Sequence, residues 1–413
     1  IILFILVVFF SHKLFSNDLY KITIKNIFPS VYNKVQADPP ESNIFEAVDL
    51  YKNHKADGVI GFGGGSSMDV AKAVSYFSIN NINIEECYGV NNLKNNRCPL
   101  IQIPTTAGTG SEVTPIAIFT LANEQKMGIV DPLLYADCAI LDAELTIGLP
   151  KNITAYSGID AMVHAIEAYT TKIKKNPLSD ALAKKALSLL GSNIKEAVNN
   201  PENKKARECM LLGSMLAGMA FANAPCAAVH ALAYPIGAKF HVPHGLSNSL
   251  VLPEVLKFNS KSVANLYCEI ASDCLPDLEG KKNNIDNFIS GIEQLIIDLK
   301  IPRKLKDVGI NQKDIHMLAE DALKQQRLLI NNPRNVNIED ATLSNIMYSN
   351  ETVDRLSIKK TTVADMRTKN GEIFDRHVAT GANLDIKKTN LTVQKNNNGV
   401  QGDLKIVDNV LSV

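Results

Sequence analysis

Short apolar runs alternate with amphipathic stretches in the first third of the chain. Residues 42–54 (SNIFEAVDLYKNH) place apolar side chains at helical spacing, and residues 56–62 (ADGVIGF) then form a short apolar run. Helical spacing returns in residues 67–77 (SMDVAKAVSYF), and another apolar run follows at 99–104 (PLIQIP). Helices and strands in this alternation predict an α/β domain with a parallel, Rossmann-like sheet.

The pattern changes at Leu149-Pro150. From residue 152 to about 330 nearly every segment has helical spacing, and no strand-like alternation interrupts it. After residue 350 the chain becomes rich in Lys, Asn, Thr and Asp and offers no recognisable chemistry. The sequence therefore predicts an α/β domain over 1–150, an all-helical domain over 151–350, and a polar tail of unknown structure over 351–413.

The first ten residues, IILFILVVFF, are apolar throughout. They fall short of the roughly 20 residues that span a bilayer, and neither a charged segment before them nor a small-residue cleavage site after them is evident. We interpret them as a buried strand and expect no membrane partner.

Charge and cysteine content narrow the class of partner. Lys+Arg and Asp+Glu both number 43, so no basic excess points to nucleic acid or to an anionic membrane. The seven cysteines are widely and irregularly spaced, which favours reduced thiols in the cytoplasm over a disulfide framework. A small-molecule partner fits this balance better than a polyanion does.

Two loops follow the predicted strands. The first is Gly63-Gly64-Gly65-Ser66, where glycines and a following helix N-terminus suit a phosphate, and where Ser66 with Asp69 resembles a capping box. The second is PTTAGTGSEVT at 104–114, whose hydroxyls can bond ribose, phosphate or a carboxamide. Taken singly, the glycine turn is equally consistent with an ordinary strand-to-helix turn, and the second loop is better explained as an ordinary loop with a helix N-cap. The position of the glycine turn at the carboxyl end of a predicted strand favours a nucleotide site.

Carboxylate and imidazole groups gather in the helical part. Asp160 and His164 stand four residues apart, so they share one helix face, although alone such a pair is more often a helical hydrogen bond. His230, His241 and His244 lie within one short apolar segment, where we expect Pro235 and Gly237 to bend the chain. Imidazole with carboxylate suits iron or zinc better than magnesium or calcium, so a mononuclear transition-metal site is predicted.

Five segments together resemble the iron-containing (group III) alcohol dehydrogenases, in the family's order and spacing. They are GGGSSMDVAK (63–72), PTTAGTGSEVT (104–114), DPLLYADCAILDAELTIGLP (131–150), SGIDAMVHAIEAYTT (157–171) and AAVHALAYPIGAKFHVPHG (227–245). The resemblance covers roughly Val35 to Asn350. It implies a nicotinamide-linked alcohol dehydrogenase that acts on small primary or secondary alcohols or on the matching aldehydes and ketones.

The resemblance also assigns roles to individual residues. It implies metal ligation, and through the metal catalysis, by Asp160, His164, His230 and His244, with His241 outside the ligand set. It implies coenzyme contacts by Gly64, Gly65, Ser66, Asp69, Thr105, Thr106, Thr109, Thr114 and Lys126. Phe221 falls on an aromatic residue of the substrate pocket, and Tyr234 stands where some members carry a further histidine. The implied cofactors are Fe²⁺ or Zn²⁺ and NAD, with NADP not excluded, and the implied assembly is a homodimer or higher homo-oligomer.

Three alternatives on the same scaffold remain open: a maleylacetate reductase, a glycerol dehydrogenase and a hydroxyacid–oxoacid transhydrogenase. From another class, the chain could be a non-catalytic nucleotide-binding protein. Residues 1–30 look unlike the family's first strand, so the sequence does not separate NAD from NADP. Intact presumptive ligands and an intact glycine-rich loop favour the enzyme.

Overall fold

The computed structural model describes residues 30–342, except 124 and 281–283, together with six short strands between 367 and 412. By its internal contacts the chain divides into two compact units, Ile1–Ala341 and Thr342–Val413. The predicted strand over the first ten residues lies outside the described part.

The described residues of the first unit form two small sheets. Strands β1 (Val59–Gly63), β3 (Leu100–Pro104) and β6 (Cys138–Ala139) form a parallel sheet in the order β1-β3-β6. Strands β2 (Gly89–Val90), β5 (Lys126–Val130) and β4 (Ile116–Thr120) form a second sheet, in which β4 and β5 are antiparallel. The α/β class is therefore as predicted, but part of its sheet structure is mixed rather than parallel.

Two helices belong to this α/β layer, α1 (Glu41–Asn53) and α2 (Gly65–Phe77). Both match the amphipathic stretches within a few residues. Helix α2 presents Val70, Ala73, Val74 and Phe77 to a core that also contains Ile44 of α1 and Phe119 of β4. Because α2 starts directly after β1, its N-terminus lies at the strand's carboxyl end, beside the glycines.

From residue 151 onward the described part of the first unit is mainly helical, as its spacing predicts. The helices are α3 (Lys151–Thr170), α4 (Pro177–Asn199), α5 (Lys204–Asn223), α6 (Ala228–Phe240), α7 (His244–Cys274), α8 (Ile285–Asp298), α9 (Ile315–Leu323), α10 (Gln326–Leu329) and α11 (Ile338–Thr342). Helix α3 is buried along most of its length. It therefore forms the centre of the helical layer and keeps its polar residues out of contact with bulk water.

One local prediction is wrong. Helix α6 continues through Pro235 and Gly237, and the chain turns only at His241, which has a left-handed φ of 53°. Pro243 then precedes α7, which begins at His244. The bend comes from the short connection between the two helices, because the lost hydrogen bond at Pro235 does not end α6.

Among its described residues, the second unit contains three antiparallel pairs. They are β7 (Arg367–Lys369) with β8 (Glu372–Phe374), β9 (Thr392–Gln394) with β10 (Gln401–Asp403), and β11 (Lys405–Val407) with β12 (Val410–Ser412). Among the residues searched for membrane spans, no single helix is both long and apolar enough to cross a bilayer. One bent pair, α5 with α6 at 108°, meets that criterion by length and composition only.

Candidate metal centre and coenzyme cleft

Four side chains from three helices converge in the helical layer. Asp160 and His164 come from α3, His230 from α6 and His244 from the first turn of α7. One ligand atom from each lies within 4.8 Å of all the others. Because α6 and α7 are joined by a three-residue turn, His230 and His244 meet across it. The predicted ligand set is thus brought together, while His241 is exposed at the turn.

The imidazoles present free nitrogens to this point. Burial lowers the pKa of His164 to about 3 and that of His244 to about 4. Both rings are neutral near pH 7, as metal ligation requires. The Nε2 atoms of His164 and His230 lie only 2.9 Å apart. That distance is a hydrogen bond when one of the two nitrogens is protonated, and it also brings both nitrogens close enough to ligate one cation.

A buried carboxylate that the sequence analysis missed fixes the orientation of His230. Glu167 Oε2 lies 2.7 Å from His230 Nδ1, so that nitrogen carries the proton and Nε2 faces the site. The same carboxylate accepts hydrogen bonds from the backbone N–H groups of Ala227 (3.0 Å) and Val229 (2.7 Å). Such outer carboxylates hold a ligating histidine in one tautomer and increase its basicity.

Glu167 also changes the electrostatics. Burial opposes ionisation of Asp160, but the nearby imidazoles His164, His244 and His230 lower its pKa below the ordinary value. Burial alone lowers the pKa of His230, yet the Cys226 thiol and the Glu167 carboxylate raise it well above its usual range. Both effects favour positive charge at the point where the four ligands meet. A divalent transition metal supplies that charge to a donor set of three imidazoles and one carboxylate.

A second residue that the sequence analysis missed is Asn248, one turn after His244 on α7. Its Nδ2 donates to Asp160 Oδ1 at 2.6 Å and lies 3.3 Å from His244 Nε2 and 3.4 Å from His230 Nε2. Its Oδ1 is buried without a hydrogen-bond partner. An orphaned oxygen beside the ligands indicates that this pocket is built for a polar occupant, which fits a hydrated cation.

The glycine-rich turn forms the start of α2. Gly64 is the N-cap of this helix and makes no side-chain cap, so the predicted capping box of Ser66 and Asp69 is wrong. A Cβ added at Gly65 would lie 2.7 Å from Thr109 Cγ2. The threonine loop therefore approaches the open helix N-terminus closely, and only glycine at position 65 leaves room there.

Asp69 does not cap α2 because its carboxylate is hydrogen-bonded to residues outside the helix. Its carboxylate accepts hydrogen bonds from Ser111 Oγ (2.6 Å) and from the backbone N–H of Ile118 (2.9 Å). The fully buried Lys72, one turn further on, donates to Ser111 Oγ (2.7 Å), Thr114 Oγ1 (3.2 Å) and the carbonyl of Ile116 (2.7 Å). These bonds tie the threonine loop to α2, so Lys72 and Ser111 shape the cleft although the motif analysis gave them no role.

The threonine loop also rests directly on the helical layer. A Cβ added at Gly110 would lie 2.6 Å from Gly218 Cα on α5, so the two backbones touch there. The carbonyl of Gly108 lies 3.3 Å from His164 Nδ1. The threonine loop therefore contacts both the N-terminus of α2, where a phosphate can bind, and the predicted metal ligand His164.

A cavity of about 350 Å³ lies between these elements. Its wall contains most of the predicted site residues: Gly65, Ser66, Asp69, Thr109, Thr114, Lys126, His164, Phe221, His230, Tyr234 and His244. Gly64, Thr105 and Thr106 lie beside this wall without forming it. The Thr105 N–H donates to the carbonyl of Gly63, which holds the loop against the end of β1. The buried Asp160 does not contribute to the wall.

Aromatic and cationic side chains complete the inner end of the cavity. Phe221 stacks on the His164 ring with centroids 4.4 Å apart. The Tyr234 ring lies 6.0 Å from that of His244, and Lys126 Nζ lies 5.9 Å from the Tyr234 ring centre. Lys126 is also paired with Asp38 at 2.6 Å, a contact that sequence spacing did not indicate.

Comparison with known proteins agrees with this geometry. The family model described as iron-containing alcohol dehydrogenase matches residues 5–143, and the model for the C-terminal part of the Fe-containing alcohol dehydrogenase family matches 154–347. The match thus begins well before Val35, where the sequence resemblance was recognised.

Individual proteins give the same result. A sulfoacetaldehyde reductase of Bilophila wadsworthia is 38% identical over 76% of this chain and 82% of its own length. An alcohol dehydrogenase structure from Oenococcus oeni is 35% identical, with a TM-score of 0.73 over 76% of this chain and 82% of its own. A sulfoacetaldehyde reductase from Bifidobacterium kashiwanohense, solved with NAD⁺, is 28% identical, with a TM-score of 0.69 over 76% of this chain and 82% of its own.

With two family models spanning most of the chain and these relatives covering three quarters of it, the chain belongs to the iron-containing alcohol dehydrogenase family. It is an oxidoreductase, and its activity is that of an alcohol dehydrogenase.

Proposed function

We propose that the chain transfers a hydride reversibly between a small primary or secondary alcohol and NAD, with Fe²⁺ held by Asp160, His164, His230 and His244. The observation that carries this proposal is the convergence of the four ligand atoms beside the cavity that the threonine loop lines, with the three histidines in its wall. When bound there, the cation acts as a Lewis acid towards the alcohol or carbonyl oxygen. Zn²⁺ suits the same donor set.

Different residues around the cavity bind the pyrophosphate and the nicotinamide end of the coenzyme. The N-terminus of α2, with Gly65 and Ser66, offers free N–H groups to a pyrophosphate, and Thr109 closes over it. Phe221, stacked on His164, provides an apolar face beside the ligands, against which a nicotinamide ring and a short carbon chain can pack. Holding the donor and acceptor carbons together in a dry cleft is the chain's main contribution to the rate.

Tyr234 is the residue that we propose for proton transfer at this end of the cavity. The phenol of Tyr234 belongs to the wall between Lys126 and His244. It stands where some family members carry a histidine, so we propose that its hydroxyl passes the alcohol proton towards solvent. Tyr234→Phe tests this role, because it removes the hydroxyl and preserves the ring.

The decisive experiment is metal analysis combined with a coenzyme-dependent assay of the purified full chain. We expect about one iron or zinc per chain and reduction of NAD⁺ in the presence of small alcohols. A substrate panel with maleylacetate, glycerol and a hydroxyacid–oxoacid pair separates the three alternatives on this scaffold. A folded, metal-loaded protein that binds coenzyme but turns over nothing would instead be a nucleotide-binding protein.

Preference between NAD and NADP is settled by the same assay with both coenzymes. NAD is proposed because a related structure contains NAD⁺. A homodimer or higher homo-oligomer and a cytoplasmic location also remain predictions. Light scattering of the purified chain and fractionation of the cells that contain it test them.

A further inference from the structure

Two cations at the edge of the cavity have no role in the function proposed so far. Arg327, on α10, and Lys174, in the turn between α3 and α4, both contribute to the cavity wall and are both solvent-exposed. Within the described part of the chain, neither charged group forms an ion pair or a hydrogen bond. Both are therefore available to a ligand that enters the cavity.

A single buried asparagine fixes the segments that carry these cations. Asn331 Nδ2 donates to the carbonyl of Arg327 (3.0 Å) and to that of Cys226 (3.0 Å). The carbonyl of Asn331 accepts from the backbone N–H of Lys172, two residues before Lys174, at 2.7 Å. The cationic edge is thus anchored to the turn that leads into α6, four residues before the ligand His230. This connection holds the two cations in the same cavity wall as His164, His230 and His244.

The acidic residues of the wall do not neutralise these cations. Asp38 is paired with Lys126, and Asp69 is bonded to Ser111 and to the N–H of Ile118. Arg327 also approaches β5, since a Cβ added at Gly128 would lie 3.9 Å from its Nη2 atom. The edge of the cavity therefore carries positive charge that its own neighbours leave uncompensated.

We propose that the substrate is an alcohol or aldehyde that carries a terminal anionic group, a carboxylate or a sulfonate, and that Arg327 and Lys174 bind this group. This proposal rests on the dehydrogenase function proposed above and names its substrate class. The hydroxyl or carbonyl end lies at the buried ligands, and the anionic end lies at the exposed edge. The planar guanidinium of Arg327 can bond two oxygens of either anion at once, and Lys174 adds a point charge.

The test compares anionic and neutral substrates of equal length. The wild-type protein, loaded with metal, is assayed with ω-oxocarboxylates and ω-oxosulfonates of increasing chain length and with the matching unsubstituted aldehydes. We expect kcat/KM to favour the anionic compounds by about tenfold or more at the best length, which corresponds to about 1.4 kcal/mol. The relative rates of the two series show which anion is preferred.

Substitutions then assign the effect. Arg327→Gln is expected to lower kcat/KM for anionic substrates about tenfold and to leave the neutral aldehydes unchanged, with Arg327→Lys restoring part of the loss. Lys174→Gln is expected to have a smaller effect of the same kind. Lys324→Gln and Lys172→Gln are the matched controls, because these lysines are neighbours in sequence that do not line the cavity.

Several outcomes overturn the proposal. It fails if the wild type prefers neutral aldehydes, or if Arg327→Gln lowers both series equally. It also fails if the variant changes only the KM for coenzyme, because Arg327 would then bind a coenzyme phosphate. Equilibrium binding of unreactive alkanoates and alkanesulfonates to the coenzyme complex tests anion binding by Arg327 and Lys174 without turnover. Equal affinities in the wild type and Arg327→Gln would contradict the proposal. Absence of turnover with every aldehyde, together with anion binding that requires Arg327, would refute only the dehydrogenase function.

Discussion

Replacing Glu167 by glutamine is the sharpest test of how the metal centre is built. The carboxylate faces three N–H groups: those of Ala227 and Val229 in the backbone, and His230 Nδ1. The amide of glutamine is nearly the same size, but one of its two ends is a donor. Whichever way it turns, at least one buried N–H then faces another N–H.

The expected magnitude follows from these contacts. A buried donor left without an acceptor costs about 1–3 kcal/mol of stability. His230 also loses the carboxylate that fixes its tautomer, and changes of this kind lower metal affinity about 10- to 100-fold. We therefore expect Glu167→Gln to fold with reduced stability and to bind metal at least about tenfold more weakly.

The assay is a competition titration of the metal against a chelator, beside urea unfolding of the metal-free protein. Glu254→Gln is the matched control, since Glu254 is also largely buried but pairs with Lys257 at 2.9 Å, away from the ligands. Coenzyme affinity, measured by fluorescence, should be unchanged in both variants. Metal affinity within about twofold of the wild type in folded Glu167→Gln would refute the idea that this carboxylate positions His230.

Three further outcomes are expected. His244→Ala should lose its metal, whereas His241→Ala should keep it; loss of metal in His241→Ala alone would contradict the ligand assignment. Gly65→Val should weaken coenzyme binding without loss of metal, because the side chain would collide with the threonine loop. Equal coenzyme affinity in fluorescence titration of a folded variant would refute phosphate binding at the N-terminus of α2. Burial lowers the pKa of His244 from 6.5 to about 4, so the unfolded chain binds more protons between these values. The stability of the metal-free wild type, relative to His244→Ala, should therefore fall as the pH decreases from 6.5 to 4, and urea unfolding that shows no such slope would contradict the burial of a neutral ring.

Sequence spacing predicted the parts of the site that are local in the chain. Asp160 and His164 share a face because a helix repeats every 3.6 residues, and the glycines after β1 follow from the geometry of a strand-to-helix turn. Glu167 was within reach of the same argument, since it lies one turn after His164. Its role was missed because its partners are about sixty residues away along the chain.

The remaining site residues depend on packing that no local pattern contains. Asn248 lies 88 residues from Asp160 in sequence, and Lys126 is equally far from Asp38. Lys72 received no role from the sequence, yet it is completely buried beneath the threonine loop. The predicted capping box failed for the same reason: Asp69 finds better partners on another element than at its own helix N-terminus.

The hydrogen bond from His164 to the carbonyl of Gly108 joins two binding equilibria. The threonine loop packs on Gly65, where we expect the coenzyme phosphates to bind, and its Gly108 carbonyl orients the His164 ring. A shift of this loop therefore changes the position of the imidazole. If bound coenzyme changes the metal affinity by some factor, bound metal must change the coenzyme affinity by the same factor. Removing the metal from the coenzyme complex with a chelator should therefore change the coenzyme affinity, and the metal affinity of the protein in a cell depends on the local supply of nicotinamide nucleotide.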